Sequence, residues 1–314
     1  MISNMFFNIL RGNAKKINIA VTDRCNLKCS ICAIWQKPQS KELTLDDYTQ
    51  FFKKTNWHWM GFTGGEPFLR NDLLSIIESA MINCKQLHTI SMVTNGYLTE
   101  KIVNTVSELL SMGSASSLYL SISLDGVKDQ HDCLRGVKKS FENAMMTFNE
   151  LKKISKYEFK VHFEYTISKL NQGKLMNTIT ALNLTPNDFI VTIAQNSNFY
   201  HNQNHPITPD IEILKEDIIG FLSNYRLNSI HDYAQKLFLT YFLNSRRIPC
   251  VGGLNSFFMD AQGKIHSCIF DPNLLGSMIH FNKLNTSCKQ VCYTPCEGYF
   301  SLLMNWRKTL WSLI

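Results

Sequence analysis

The chain has 314 residues, of which 45% are hydrophobic, and its 32 Lys and Arg outnumber its 25 Asp and Glu, for a formal net charge of +7. The length can bury one sizeable core together with a small appended domain, and the mild, dispersed basic excess argues against a nucleic-acid-binding protein. No run of eighteen apolar residues predicts a membrane span, and the N-terminal MISNMFFNIL lacks the pattern of a signal peptide. We therefore expect a cytoplasmic protein whose ten cysteines bind metals rather than form disulfides.

Predicted strands alternate with predicted helices along the first two thirds of the chain, an order that builds a parallel sheet with crossover helices. The expected strands cover residues 17–22, 57–62, 88–94, 118–124, 159–167 and 188–194. Helical patterns begin near Thr44, Asn71, Thr99, Ser140 and Gln172, and Thr44 with Asp47 resembles a capping box. Six such units predict an α/β fold, a partial (β/α)6 barrel of the triosephosphate isomerase type, with its chemistry at the carboxyl ends of the strands.

Three cysteines, Cys25, Cys29 and Cys32, follow the first predicted strand in the run VTDRCNLKCSIC. Three thiolates on one short loop suit an iron-sulfur cluster that keeps one iron free of protein ligands. Ile31 places an apolar side chain beside the last thiolate, where a planar ring could pack. The alternatives for a short cysteine cluster are a zinc knuckle or buried free cysteines.

Further motifs follow the next three predicted strands: TGGEP at residues 63–67, TNG at 94–96 and SISLDG at 121–126. Together with the cysteine spacing, they resemble the signature of the radical S-adenosylmethionine (radical SAM) superfamily. The resemblance implies that Cys25, Cys29 and Cys32 hold a catalytic 4Fe-4S cluster whose open iron binds S-adenosylmethionine (SAM).

The resemblance also implies a set of residues that bind SAM. The glycine-rich turn would bind the amino group of the methionine moiety, and polar residues after the fourth strand would approach its ribose and carboxylate. Arg135, in HDCLRG, matches an arginine that many relatives hold near that carboxylate, although a surface ion pair is the alternative. The implied cofactor-binding residues are Ile31, Gly64, Gly65, Glu66, Pro67, Asn95, Ser123, Asp125, Arg135 and Gln195.

The polar stretch NSNFYHNQNHP predicts a loop at the rim of the barrel, followed by two helical patterns near residues 208–225 and 229–244. His201 and His205 could meet substrate there, or could be solvated loop residues. Glu164 and Gln195 are predicted at the ends of strands five and six, where either could hold substrate or cofactor.

Five more candidate metal ligands lie beyond residue 249. Cys250 and Cys268 flank a predicted hairpin with its turn at residues 261–263, and Cys288, Cys292 and Cys296 follow in TSCKQVCYTPCEG. This pattern looks like the auxiliary-cluster extension of radical SAM enzymes, called SPASM in its long form and twitch in its short form. It implies a second, auxiliary 4Fe-4S cluster on Cys250, Cys268, Cys292 and Cys296, with Cys288 as a spare or alternative ligand. A structural zinc site would accept the same thiolates.

These expectations divide the chain into four segments. Residues 1–200 would form the radical SAM barrel, 201–249 a helical connection, 250–298 the auxiliary-cluster domain and 299–314 a C-terminal helical tail.

The resemblance implies an oxidoreductase-type radical SAM enzyme. It would cleave SAM to a 5'-deoxyadenosyl radical with electrons from a partner such as flavodoxin or ferredoxin, and abstract hydrogen from a small-molecule or peptide substrate. The expected outcome is a net oxidation or bond formation assisted by the auxiliary cluster. One alternative is a maturase that crosslinks or epimerises a ribosomally made peptide; another is a non-catalytic iron-sulfur or zinc-binding protein.

Overall fold

Six parallel strands form the centre of the molecule. The computed structural model describes residues 8–9, 11–113, 117–154, 158–271, 273–282 and 295–306, and of Cys296 only the backbone. The strands pair in the order β6-β5-β4-β3-β2-β1, and at least one helix follows each of them, which confirms the predicted α/β fold with a partial barrel. The strands are β1 Lys16–Ala20, β2 Trp59–Thr63, β3 Thr89–Thr94, β4 Ser117–Ser123, β5 Phe159–Ile167 and β6 Phe189–Ile193.

The seven helices predicted between residues 44 and 244 are all found, and one further helix in that range was not predicted; of the predicted C-terminal tail, residues 307–314 lie outside the described residues. The capping box is confirmed, because Thr44 accepts a hydrogen bond from the amide of Asp47 while the Asp47 carboxylate accepts one from the amide of Thr44 at 2.8 Å. The unpredicted helix, α4, has only eight residues and no side-chain N-cap. The helices are α1 Leu45–Lys54, α2 Leu73–Asn83, α3 Thr99–Met112, α4 Lys128–Arg135, α5 Ser140–Ile154, α6 Leu175–Ala181, α7 Ile211–Ser223, α8 Ile230–Leu243 and α9 Pro295–Met304.

The strands present an apolar face to the helices and a more polar face to the inside of the barrel. On β4, Leu120 and Ile122 are fully buried in the core between sheet and helices, whereas Tyr119, Ser121 and Ser123 line an internal cavity. This alternation follows from the two-residue period of a strand. The hydrophobic core therefore lies outside the barrel, and the space inside is left for a ligand.

The predicted C-terminal hairpin is confirmed and extends the same sheet. β7 (Ser256–Met259) runs parallel to β1, and β8 (Lys264–His266) returns antiparallel to β7. A further strand, β9 (Leu274–Ser277), pairs with β8. Within the described ranges the sheet is thus continuous from β6 to β9. No helix in these ranges is both long and apolar enough to cross a membrane.

Candidate active site

A cavity of about 290 Å³ lies inside the curved parallel sheet. Cys25, Cys29 and Cys32 form part of its wall. Seven of the predicted cofactor-binding residues also line it: Ile31, Gly64, Gly65, Asn95, Ser123, Arg135 and Gln195. The fold therefore brings together motifs that follow five different strands.

The three thiols of the cysteine loop influence one another electrostatically. Burial, with smaller contributions from neighbouring thiolates, raises the pKa of Cys25 and of Cys32 to about 12; burial also raises the pKa of Cys29. In the described part of the chain, no three His, Cys, Asp or Glu side chains converge closely enough to hold one metal ion. Three thiols on one loop that faces a cavity are a ligand set that suits an iron-sulfur cluster with one iron free of protein ligands. A bound cluster would also deprotonate them.

The glycine-rich turn packs directly against the backbone of the cysteine loop. The amide of Gly65 donates to the oxygen of Thr22, and that of Glu66 donates to the oxygen of Arg24, both at 2.8 Å. Gly64 has a φ of +148°, and a Cβ on Gly65 would lie 2.1 Å from the Arg24 oxygen. Both glycines are therefore needed for the turn and the loop to meet.

Glu66 and Pro67 do not line the cavity. The Glu66 carboxylate accepts hydrogen bonds from Thr94 Oγ1 at 2.9 Å and from the amide of Asn95 at 2.7 Å, and burial raises its pKa to about 7. Pro67 begins a short 3-10 turn and is buried. Glu66 thus ties the end of β2 to the end of β3, and through this contact holds Asn95 at the cavity wall.

A buried ion pair aims Arg135 at the cysteine loop. Arg135 Nη2 lies 2.7 Å from Asp125 Oδ2, and its Nη1 lies 3.8 Å from Cys29 Sγ. Asp125 does not line the cavity, and its other oxygen accepts from the amide of Thr166 at 3.0 Å. The side chains are only 10% and 1% exposed, so the alternative of a surface ion pair is wrong. Since α4 carries Arg135, the helix missed in the sequence presents this cation.

The loop after β6 covers the cysteine loop. The amide of Ala33 donates a hydrogen bond to the main-chain oxygen of Tyr200 at 2.9 Å. The buried Asn202 side chain donates one to the main-chain oxygen of Ile31, directly before Cys32. Neither His201, which is exposed, nor His205 lines the cavity. The polar composition of this stretch indicated a functional loop, but it pointed to the histidines instead of Asn202.

Two of the five C-terminal cysteines have described side chains. Cys250 Sγ accepts from the amide of Gly252 at 3.3 Å, and burial raises the pKa of Cys268 to about 12, with smaller contributions from Glu297 and Cys250. Cys288 and Cys292 lie outside the described residues, as does the side chain of Cys296. Ile269 and Phe270, which directly follow Cys268, line the cavity.

Comparisons with known proteins agree with this geometry. Residues 19–181 match the family model described as the radical SAM superfamily. GTP 3',8-cyclase of Mannheimia succiniciproducens is 33% identical over 144 residues, which are 40% of this chain and 41% of that protein. The sporulation killing factor maturation protein SkfB of Bacillus subtilis is 29% identical over 168 residues, 51% of this chain and 38% of SkfB. The chain therefore spans about two fifths of the length of these curated relatives.

Solved structures share the fold at low sequence identity. The structure of anSMEcpe with bound AdoMet has a TM-score of 0.62 at 17% identity and covers 84% of this chain and 75% of that one. SuiB of Streptococcus suis bound to S-adenosylmethionine has a TM-score of 0.57 at 14% identity, and the match covers 87% of this chain and 66% of SuiB. Because the family match spans more than half of the chain, including the cysteine loop and the glycine-rich turn, the chain belongs to the radical SAM superfamily of enzymes.

Proposed function

We propose that the protein holds a 4Fe-4S cluster on Cys25, Cys29 and Cys32, cleaves SAM reductively and removes a hydrogen atom from a substrate inside the barrel. The observation that carries the proposal is that all three thiols and the Gly64–Gly65 turn line one cavity. When bound, the cluster and SAM supply a one-electron reduction of the sulfonium and a 5'-deoxyadenosyl radical. The non-catalytic alternative is disfavoured because the complete cysteine set and the glycine-rich turn face the same ligand-sized space.

The residues of the cavity would orient SAM and exclude water. Because Gly64 and Gly65 have no side chains, the methionine end of SAM can approach the backbone of the turn. Arg135 is the cation positioned for its carboxylate, and Ser123 and Gln195 offer hydrogen bonds to polar groups of the nucleoside. Ile31 adds an apolar surface for a ring. Side chains that exclude water from the site would prevent a radical from reacting with solvent.

We also propose the auxiliary 4Fe-4S cluster, on Cys250, Cys268, Cys292 and Cys296, with Cys288 as the spare. Support comes from Cys268, because the two residues that follow it line the cavity. A cluster there would lie beside the substrate and could accept the second electron of a net oxidation or bond formation. The four segments 1–200, 201–249, 250–298 and 299–314 remain our proposed division of the chain, and a flavodoxin or ferredoxin remains the proposed reductant.

A ribosomally made peptide is the second candidate substrate, beside a small molecule. It is favoured by solved structures of similar fold, anSMEcpe with the Cp18Cys peptide and SuiB with the precursor peptide SuiA. SkfB, named a maturation protein, is also among the relatives.

The test is iron and sulfide analysis with electron paramagnetic resonance on anaerobically reconstituted protein, beside a variant with all three loop cysteines changed to Ala. We expect about eight irons in the parent and about four in the variant, with a signal that SAM perturbs only in the parent. Dithionite should then yield 5'-deoxyadenosine from the parent alone. Zinc in place of iron would overturn the proposal.

A further inference from the structure

One carboxylate in the cavity wall has no described partner. Glu164 lies on the inward face of β5, directly opposite Ser123 of β4, and lines the cavity. The described contacts of its side chain include no hydrogen bond and no ion pair, in contrast to the carboxylates of Glu66 and Asp125 nearby. Burial raises the pKa of Glu164 to about 7. Its side chain is only partly buried, so the carboxylate at the cavity wall is accessible to a ligand of opposite charge.

The cations that face this cavity are engaged elsewhere. Arg135, which stabilises the charge of Glu164 only at a distance, is held by Asp125 at 2.7 Å and points its other nitrogen at Cys29. Lys16 lies at another part of the wall, with its Nζ 4.6 Å from the centre of the Trp59 ring, and interacts with the buried Glu297. The described ion pairs of these cations do not include Glu164.

The groups of the proposed function do not provide a counter-charge either. An oxidised 4Fe-4S cluster on three thiolates has one net negative charge, and SAM whose amino group binds iron in its unprotonated form is neutral overall, so the pair adds no positive charge for Glu164. The charges of Asp125 and Arg135 compensate each other. With cluster and SAM bound, Glu164 therefore remains without an ion-pair partner among the described residues that line the cavity.

The surroundings of Glu164 suit a primary ammonium. Ser121 on β4 and Thr192 on β6 also line the cavity, and each lies two residues along its strand from the residue paired with Glu164. An ammonium has three N–H donors and a full positive charge, which suits a carboxylate in a wall that also carries hydroxyl groups. Charge-assisted hydrogen bonds of this kind are the strong ones.

We propose that Glu164 binds a primary ammonium group of the substrate, so that the enzyme acts on an amine-bearing molecule, free or as the side chain of a peptide. This inference rests on the proposed function, because it assumes that SAM and the cluster occupy the rest of the site. It assigns Glu164 to the substrate and not to SAM.

The probe is n-butylammonium, with 1-butanol as its neutral counterpart, titrated calorimetrically and anaerobically into reconstituted, SAM-loaded enzyme. We compare the parent with Glu164→Gln, with Glu164→Asp and with Glu158→Gln, an exposed carboxylate just before the same strand. We expect E164Q to weaken n-butylammonium binding by about ten-fold or more, E158Q to leave it unchanged, and E164D to retain part of it. Binding of 1-butanol should not distinguish the variants. Iron content verifies that each variant has folded and loaded.

A second titration distinguishes a free small amine from the side chain of a peptide. In it, a lysine with acetylated and amidated ends replaces n-butylammonium. Binding of n-butylammonium alone assigns the site to small amines, and binding of both assigns it to a side-chain ammonium; either result supports the inference. Equal binding of n-butylammonium to parent and E164Q overturns it. A loss of SAM affinity in E164Q also overturns it, because the carboxylate would then belong to the SAM site. Failure of the parent to form 5'-deoxyadenosine would instead reject the proposed function, whatever the probe does.

Discussion

Asn202 donates a hydrogen bond from its Nδ2 to the main-chain oxygen of Ile31 at 2.8 Å, across 171 residues of sequence. Its Oδ1 accepts from the amide of Ser197 at 2.8 Å, and its side chain is buried. The loop after β6 is thereby fixed to the cysteine loop at the residue directly before Cys32.

We expect Asn202→Ala to loosen the third cysteine. The substitution leaves the Ile31 oxygen and the Ser197 amide without partners, at a cost of about 1–3 kcal/mol. Iron should leave the reconstituted protein faster in the presence of a chelator, and the cluster signal should broaden. Asn198→Ala, in the exposed part of the same loop, is the control. Equal iron-release rates in the two variants would show that Asn202 does not support the cluster.

Gly65→Ala should prevent cluster binding. The new methyl group would lie 2.1 Å from the Arg24 oxygen, so the cysteine loop would have to move. We expect a loss of about 1–3 kcal/mol in the free energy of unfolding, measured with urea, together with low iron content. Gly220→Ala inside α7 is the matched control, since the added Cβ would contact only the flexible Met176 side chain, at 3.3 Å. That variant should gain up to about 1 kcal/mol from helix propensity. Full iron loading of G65A would contradict the packing argument.

Arg135→Gln should destabilise the fold through Asp125. Removing the cation leaves a carboxylate with 1% side-chain exposure uncompensated, which typically costs about 3–5 kcal/mol. The double variant with Asp125→Asn should recover part of this loss, since the carboxylate charge that Arg135 compensated is then also removed. Urea unfolding of the parent, the two single variants and the double variant gives the interaction free energy from a double-mutant cycle. Strictly additive effects would mean that the two side chains do not interact.

Glu164→Gln should stabilise the protein without ligands at high pH. Burial raises the pKa of the folded carboxyl from 4.5 to about 7, so the folded state binds the proton more tightly than the unfolded state. The contribution of Glu164 to stability therefore falls as the pH rises from about 4.5 to 7 and stays low above that. Relative to the parent, E164Q should gain on the order of 2 kcal/mol at pH 8 and nothing at pH 4. A pH-independent difference in urea midpoints would exclude a buried, titrating carboxylate.

Cys268→Ala and Cys288→Ala separate the proposed auxiliary ligands. If Cys268 holds the auxiliary cluster and Cys288 is the spare, C268A should lose about four irons per chain and C288A none. Both should keep the SAM-sensitive signal of the first cluster. Iron loss in C288A would exchange the roles of the two residues.

Local patterns were sufficient for much of this fold. The cysteine spacing, the glycine-rich turn and the Thr44–Asp47 box are short-range signals, and the two-residue alternation of β4 follows from which side of the strand is buried. Strand ends carry the site in any barrel of this type, so the predicted residues converge once the strands are placed.

The remaining features depend on contacts between distant segments. The direction of the Glu66 carboxylate is set by Thr94 and Asn95 on the next strand, and no pattern around residue 66 reveals it. Asn202 is one of several asparagines in a polar run, and only the packed loop selects it. α4 is too short and too weakly capped to be recognised, yet it turns Arg135 from a surface residue into a buried one.

The parallel pairing of β7 with β1 has a practical consequence for dissecting the enzyme. Register partners run from Lys16 with Ser256 to Ile19 with Met259, so the C-terminal segment covers one flank of the first barrel strand. A protein shortened to end at residue 249 would present the unpaired amides and carbonyls of β1 to solvent, beside apolar residues such as Ile17 and Ile19. Exposed edges of this kind recruit strands from other molecules, so such a shortened protein should accumulate as insoluble aggregates.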